Sequence, residues 1–330
     1  MIAFLKLIRL PNLLIIAFTM YMVRYGIVQP MAEAYGIGLW MPDLLFFLLV
    51  LSVVMIAAAG YIINDYFDVR MDQVNKPEHI VVDKGVKRRV AMGAHQVINV
   101  IAILIGAFVS WKANFFKEGT ILFIFSATSL WFYSTTFKRQ FLVGNLVIAL
   151  LSGIVPLIAG FYDMTYIKEH FKEIILFNAQ NNPGRPAFSE SVFFFVLGFS
   201  FFAFILTLLR EIIKDIEDRE GDDAYGCKTL PVVMGVKGGK TVAAIIMLFI
   251  LFMVVYLGFE FYQDTRSRIP FIYIVITLII PLLLMFFMLI RAKEKKDFTR
   301  LSLLNKIIML GGICFWLVLR FSSESGNWFG

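Results

Sequence analysis

Charged side chains are scarce in this sequence. They make up 17% of its 330 residues, whereas hydrophobic residues make up 59% and the mean hydropathy is +0.79. A soluble domain usually carries charge on about a quarter of its residues. The deficit is concentrated in apolar runs of near membrane-spanning length, which is about 20 residues. We therefore expect an integral membrane protein without a separate soluble domain, and we predict one membrane domain over residues 1–330.

Cysteine is also rare, and a disulfide framework is not expected. Cys227 lies in a charged loop and Cys314 inside an apolar segment, so a bond would have to join groups at different depths. A cleavable signal is not expected either, because the first apolar stretch contains Arg24 and lacks a clean small-residue cleavage site. The sequence has no short-period repeat and no low-complexity tract.

Long apolar runs, by contrast, are abundant. Only helices and closed barrels can span a bilayer, and these runs are too long and too uniformly apolar for barrel strands. We predict an all-α bundle in which about nine transmembrane helices cover approximately residues 11–28, 41–63, 91–111, 119–137, 142–161, 191–209, 241–260, 270–290 and 303–320. The segment 162–190, with its polar tract "NAQNNPGRPAFSE", is expected to be a loop with little regular structure.

The distribution of lysine and arginine predicts the orientation. Alternate loops, beginning with the N-terminal residues, carry 22 of these side chains, and the loops between them carry seven. Because positively charged loops stay on the cytoplasmic side, we expect the N-terminus to be cytoplasmic and the C-terminus to be outside. The net charge of +7 is attributed to this orientation and to anionic headgroups rather than to a nucleic-acid partner.

Two acidic clusters follow the second and sixth predicted spans. The first cluster comprises Asn64, Asp65, Asp68 and Asp72, and the second comprises Glu211, Asp215, Asp218 and Asp222. If each helix continues past its span, the spacing places each set on one face, where like charges repel and need cations. Carboxylates suit Mg²⁺, which binds through a few carboxylates together with substrate phosphates. We interpret the clusters as Mg²⁺ sites for a diphosphate leaving group. A solvated helix end is the alternative for either cluster alone.

Both clusters also resemble known motifs. "NDYFDVRMD" is similar to the NDxxDxxxD signature of the UbiA superfamily of intramembrane prenyltransferases, and "DIEDREGDDAYGCKTLPV" resembles its second DxxxD motif with the Gly-x-Lys-Thr-Leu-Pro stretch that follows. The resemblance covers nearly the whole chain. It implies a helical bundle around a central cavity that is open to lipid. It also implies that a polyprenyl diphosphate binds at the two motifs with Mg²⁺ while an acceptor attacks its allylic carbon.

The resemblance assigns roles to individual residues. The implied metal ligands are Asn64, Asp68 and Asp72 with Asp65 beside them, and Asp218 and Asp222 with Glu211 and Asp215 further back on the helix. The implied catalytic residues are Asp68, Asp72, Asp218, Asp222 and Lys138. The implied substrate-binding residues are Asn64, Lys76, Tyr133, Arg210 and Lys228. Lys138 is favoured because Tyr133 and Asn145 accompany it in "YSTTFKRQFLVGN". For each basic residue alone, a membrane anchor on the positive side explains it equally well. His79 stands where the family often has arginine, and it could still donate a hydrogen bond.

The acceptor is the least constrained part of the interpretation. The motif pattern looks most like the branch that makes digeranylgeranylglyceryl phosphate, and the surplus of cytoplasmic lysine and arginine suits a phosphate-bearing lipid acceptor. An aromatic acceptor of ubiquinone or menaquinone biosynthesis is the alternative. A cation-coupled transporter would carry its acidic residues in mid-span on broken helices, whereas these lie at span ends. The motif of CDP-alcohol phosphatidyltransferases is absent.

Overall fold

The computed structural model describes residues 2–38, 40–78, 80–170, 172–173, 188–264 and 268–322, and nearly all of these are helical. Strand pairing in this part of the chain is limited to an isolated bridge between Val82 and Val86. The main helices are α1 Ile2–Leu7, α2 Leu10–Val23, α3 Gln29–Ala34, α4 Asp43–Asn75, α5 Arg88–Lys112, α6 Phe116–Thr135, α7 Val143–His170, α8 Phe188–Ala224, α9 Leu230–Asp264, α10 Ile269–Ile274, α11 Ile280–Arg291 and α12 Lys295–Ser322.

Eight helical stretches in the described residues are long and apolar enough to cross a membrane, and each overlaps one predicted span. They are Leu10–Ala34, Asp43–Asn75, Arg88–Lys112, Val143–His170, Phe188–Ala224, Leu230–Gln263, Ile269–Arg291 and Lys295–Arg320. The predicted span 119–137 is also a helix, α6, but it is not among the eight. Helix α6 includes Lys117, Glu118 and many hydroxyl side chains, and these lower its mean hydropathy. The predicted all-α membrane architecture is confirmed.

Three of the helices, α4, α8 and α9, are longer than a bilayer requires, and α9 is interrupted by a kink at Gly235. Helix α4 has 33 residues and α8 has 37. At 1.5 Å per residue they extend over about 50 and 56 Å, compared with about 30 Å for the hydrocarbon core. Their C-terminal turns therefore continue beyond the apolar stretch, and these turns carry the two acidic clusters.

The predicted loop over 162–190 is wrong at both ends. Helix α7 continues through His170, and α8 already begins at Phe188. Lys168 and His170 lie in the last turn of α7, where positive charge is favourable next to the helix C-terminus. Most of the polar tract between the two helices lies outside the described residues.

The chain packs as two compact units. The first comprises Met1–Thr136 and Gly153–Ser200, and the second comprises Phe137–Ser152 and Phe201–Trp328. The prediction of one domain over the whole chain stays a prediction. Helices α7 and α8 contribute residues to both units.

In the first unit, α4 packs against α5 and α6. Near the first acidic cluster, a hydrophobic core joins Leu7 of α1, Ile62 and Val69 of α4, Val82 and Ala91. This core fixes α1 and the turn around Val82 against the end of α4. The N-terminal residues are thereby held beside the first acidic cluster.

In the second unit, α9 to α12 pack on one another and α12 is joined to α8. The buried Asn305 amide of α12 donates to the Leu206 carbonyl oxygen of α8 at 3.0 Å. The Lys240 ammonium of α9 donates to the carbonyl oxygens of Ile290 and Ala292 at the end of α11, at 2.8 and 3.0 Å. The Asn305 bond thus ties α12 to α8 shortly before the second acidic cluster.

Candidate functional site

The first acidic cluster lies on the last three turns of α4. Because the helix continues to Asn75, Asp65, Asp68 and Asp72 share one face, as their spacing predicts. All three are half-buried, as is Asn64. The side-chain oxygen Oδ1 of Asn64 is buried and has no hydrogen-bond partner among the described residues. A buried acceptor without a partner is costly, and a cation is one group that would satisfy it.

One member of this cluster already has a cation. The guanidinium of Arg9 donates to Oδ1 of Asp65 at 2.7 Å and also lies over the ring of Tyr61, with its carbon 5.0 Å from the ring centroid. Arg9 has a left-handed backbone (φ 53°), which turns the chain directly before α2. Burial opposes the charge of Arg9, but Asp65 and Tyr61 raise its pKa above the ordinary value, so it stays charged.

In the sequence alone, Arg9 indicates only the orientation of the N-terminal residues. The partners are 56 residues apart, and no local pattern links them. The contact matters for the interpretation because the charge of Asp65 is balanced within the protein.

The second acidic cluster lies on the last four turns of α8. The helix runs through Ala224, so the predicted one-face arrangement of this cluster is also confirmed. Glu211 is paired with cations on its own helix: Arg210 Nη1 lies 2.8 Å from Oε1, and Lys214 Nζ lies 3.4 Å from Oε2. Arg210, predicted to bind substrate, is thus engaged with Glu211.

Two other carboxylates of this cluster accept hydrogen bonds from neutral groups. The amide of Asn145 donates to Oδ2 of Asp215 at 2.8 Å, and the hydroxyl of Thr229 donates to Oδ2 of Asp222 at 3.1 Å. Asp215 also lies within electrostatic range of Glu211 and Asp222, which oppose its charge, and of Lys214, which favours it.

The turn after α8 is built by backbone hydrogen bonds. Gly226 has a φ of 69°, a left-handed conformation that glycine adopts easily and that commonly ends a helix. The Cys227 amide donates to the carbonyl oxygen of Asp222 at 2.9 Å. The Lys228 amide donates to the carbonyl oxygen of Arg139 at 2.8 Å, which ties this turn to the 3₁₀ turn Phe137–Arg139.

The position of Lys138 in that 3₁₀ turn depends on a glycine. A Cβ atom at Gly144 would lie 2.7 Å from the Cα atom of Lys138, so only glycine lets the start of α7 approach this closely. Lys138 itself is half-buried, and Lys228 is exposed.

The remaining predicted residues belong to the first unit. Lys76 follows α4 directly, and its backbone amide donates to the Asp72 carbonyl oxygen at 2.8 Å. Its side chain is half-buried, as is that of Tyr133 on α6. His79 lies outside the described residues.

The fit of these groups to a divalent metal can be judged from their chemistry. In the ranges that the structure describes, no three histidine, cysteine, aspartate or glutamate side chains converge into a cage. Mg²⁺ rarely uses such cages, because it keeps several waters and binds through one or two carboxylates plus substrate phosphates. The hard oxygen donors of both clusters and the unsatisfied oxygen of Asn64 suit this mode of binding. Among the described residues, Cys227 and Cys314 form no disulfide.

The family model and the similar sequences identify the same kind of protein. The family model described as the UbiA prenyltransferase family matches residues 13–310. A digeranylgeranylglyceryl phosphate synthase from Methanobrevibacter smithii is 31% identical over 61% of this chain and 62% of its own length, so the chain spans less than two thirds of that relative. The synthase of the same name from Methanosphaera stadtmanae is 27% identical over 79% of this chain and 82% of its own.

Solved structures show the same fold. A structure concerning digeranylgeranylglyceryl phosphate synthase superposes with a TM-score of 0.58 at 22% identity, covering 96% of each chain. A UbiA homologue from Archaeoglobus fulgidus bound to DMAPP and Mg²⁺ superposes with a TM-score of 0.52 at 16% identity, covering 95% of this chain and 99% of that one.

Proposed function

The chain belongs to the UbiA prenyltransferase family, and from this premise we propose that it transfers a polyprenyl group from a polyprenyl diphosphate to a glycerol-phosphate-type lipid in an Mg²⁺-dependent reaction. The observation that carries the proposal is the extension of α4 and α8 beyond their apolar stretches, each with acidic side chains on one face. A helix end in a membrane protein has no structural need for such a face, because the like charges repel. Metal and diphosphate account for both faces.

We assign the metal-holding role to residues of both clusters. These are Asn64, Asp68 and Asp72 in the first cluster and Asp215, Asp218 and Asp222 in the second. When bound, Mg²⁺ supplies positive charge that neutralises the diphosphate leaving group. Asp65 and Glu211 belong to the predicted ligand set, but their ion pairs with Arg9 and Arg210 favour a charge-balancing role.

The basic and phenolic residues are proposed to contact the substrates next to the metal. We propose that Lys76, Lys138 and Lys228 act as positive charges toward the diphosphate, which lysine binds as a point charge. Tyr133 is proposed to face the diphosphate or the acceptor. The 3₁₀ turn and the glycine at position 144 fix the backbone of Lys138, which is the favoured catalytic lysine.

The acceptor assignment depends on the relatives and on charge. Relatives sharing up to 31% identity with this chain are digeranylgeranylglyceryl phosphate synthases. The excess of lysine and arginine in alternate loops suits a phosphate-bearing acceptor. We therefore propose geranylgeranylglyceryl phosphate as acceptor and geranylgeranyl diphosphate as donor.

Transfer of labelled geranylgeranyl diphosphate by purified protein in detergent with Mg²⁺ tests the proposal. Geranylgeranylglyceryl phosphate and 4-hydroxybenzoate are offered in parallel, with an EDTA control. A labelled lipid phosphate that EDTA abolishes is the expected product. A labelled aromatic product would contradict the lipid acceptor and leave the role of the metal intact. No Mg²⁺-dependent binding of the diphosphate would overturn the proposed function.

Variants separate the metal role from folding. Asp68→Asn and Asp218→Asn are expected to abolish transfer, whereas the matched control Asp83→Asn is expected to retain it. Asp83 is exposed and pairs with Arg88 at 3.4 Å in a turn outside both clusters. Full activity in both cluster variants would refute the metal assignment.

The orientation is proposed from the same loop charges. The N-terminus and the acidic clusters are placed on the cytoplasmic side. Single cysteines introduced at the exposed positions Lys84 and Lys112, with the native cysteines removed, should react with an impermeant maleimide from opposite sides of the membrane. Labelling of both from one side would contradict this orientation.

A further inference from the structure

Two neutral side chains hold carboxylates of the second acidic cluster. Thr229 donates to Asp222 at 3.1 Å, and Asn145 donates to Asp215 at 2.8 Å. Thr229 is 3% exposed and Asp222 is 8% exposed, so water competes little for this bond. Asp215 and Asp222 are seven residues apart, which is about two helical turns, and therefore lie on the same side of α8.

The hydroxyl of Thr229 lies at the start of α9 and donates its proton to Asp222 of α8. Thr229 precedes α9, and its carbonyl oxygen accepts from the amides of Val232 and Val233 at 3.1 and 3.0 Å. A threonine at this position usually caps the new helix through the amide of the second or third residue. The second residue here is Pro231, which has no N–H, the amide of Val232 bonds the Thr229 carbonyl oxygen, and the hydroxyl proton is donated to Asp222.

The other contacts of the turn bring Thr229 back to Asp222. Gly226 reverses the chain, and Cys227 bonds the carbonyl oxygen of Asp222. Asn145 is placed by an equally constrained segment, because Leu142 has a φ of 57° and Gly144 packs on Lys138. Both donors thus come from turns whose backbone is fixed by hydrogen bonds or by close packing.

We infer that Thr229 and Asn145 are positioning residues. Each holds one carboxylate oxygen, Oδ2 of Asp222 and Oδ2 of Asp215, and so orients the side chain for Mg²⁺. The inference rests on the proposed function. A hydrogen bond from a neutral donor fixes the orientation of the carboxylate, whereas Arg9 and Arg210 bind Asp65 and Glu211 through ion pairs. Loss of such an outer-shell hydrogen bond commonly weakens metal binding about 10- to 100-fold.

Manganese binding provides the test, because Mn²⁺ takes the same oxygen ligands and is visible by electron paramagnetic resonance. Free Mn²⁺ is titrated with purified protein and saturating geranylgeranyl diphosphate, and a protein-free tube corrects for metal held by the diphosphate. Thr229→Val removes the hydroxyl and keeps the shape, Thr229→Ser keeps the hydroxyl, and Thr241→Val is a control on an exposed helix surface. The second readout is the Mg²⁺ concentration for half-maximal transfer.

Thr229→Val is expected to weaken Mn²⁺ binding roughly tenfold or more and to raise the Mg²⁺ requirement equally. Thr229→Ser and the control should remain near wild type. Unchanged metal affinity in a folded Thr229→Val protein would overturn the inference, as would equal weakening in Val and Ser variants. If Thr229→Val does not fold, Asn145→Ala decides, with the same expected weakening and the same refuting result. A wild-type protein that binds no Mn²⁺ would contradict the proposed function itself.

Discussion

The ion pair between Arg9 and Asp65 separates two roles for the first acidic cluster. If Asp65 is a metal ligand, Asp65→Asn should weaken Mn²⁺ binding as Asp68→Asn does. If Asp65 instead balances the charge of Arg9, the same change should alter stability and leave the metal requirement nearly unchanged. The 2.7 Å contact favours the second outcome.

The expected loss of stability follows from the burial of the two partners. The side chain of Asp65 is 15% exposed and that of Arg9 is 37% exposed. Breaking a buried pair costs about 3–5 kcal/mol, whereas an exposed pair contributes about 0–1 kcal/mol. Arg9 is exposed enough to be screened, so Arg9→Ala should cost about 2 kcal/mol, including the contact with Tyr61. Asp65→Asn should cost less, about 1 kcal/mol, because the Arg9 side chain that is left without its partner is more exposed to water than that of Asp65.

Thermal unfolding in detergent, followed by intrinsic tryptophan fluorescence, measures the difference. A loss of about 2 kcal/mol corresponds to about 4–8 °C in Tm on the scaling for domains of 150–250 residues. The double variant Arg9→Ala/Asp65→Asn should be more stable than the sum of the single losses predicts, because the uncompensated carboxylate is gone. Additive losses, or Mn²⁺ binding that weakens as strongly in Asp65→Asn as in Asp68→Asn, would refute the charge-balancing role.

Two further changes have outcomes that the packing predicts. Gly144→Ala should lower transfer activity and cost about 1–3 kcal/mol of folding stability, because the added Cβ atom would lie 2.7 Å from the Lys138 backbone. The control Gly93→Ala should be neutral or slightly stabilising, because nothing lies within 4 Å of its added Cβ atom. Equal effects of the two substitutions would contradict this reasoning. Arg24→Met should cost about 3–5 kcal/mol, because Asp163 is 0% exposed and would lose its cation 3.9 Å away. The Mg²⁺ requirement of Arg24→Met should stay unchanged. An Arg24→Met protein that is as stable as the wild type and needs a different Mg²⁺ concentration would contradict the prediction.

Much of the fold could be predicted from the sequence because one physical constraint governs it. Backbone groups in hydrocarbon must be satisfied within a segment, so long apolar runs can only be helices. All nine predicted spans are helical. The boundaries were less predictable. Helix α7 continues through Lys168 to His170. The polar residues after its apolar stretch are compatible with a helix, but a hydropathy profile ends the span before them.

The acidic faces could also be predicted, since helical spacing alone determines which side chains share a face. Their partners could not. Asp65 meets a residue 56 positions away and Asp215 meets one 70 positions away, and both contacts depend on tertiary packing. A regular spacing therefore overstates the number of equivalent ligands in each cluster.

The type of partner distinguishes carboxylates that look identical in sequence. A carboxylate paired with arginine at 2.7 or 2.8 Å has already exchanged its water for a cation of the protein, and a metal would have to displace or share that cation. A carboxylate that accepts a hydrogen bond from an amide or a hydroxyl loses rotational freedom without forming an ion pair through that bond, which favours metal binding. By this criterion Asp215 and Asp222 are better suited to Mg²⁺ than Asp65 and Glu211, although all four occupy predicted ligand positions. Single substitutions to asparagine, ranked by their effect on Mn²⁺ affinity, should follow that order, and the reverse order would show that charge pairing does not select the ligands.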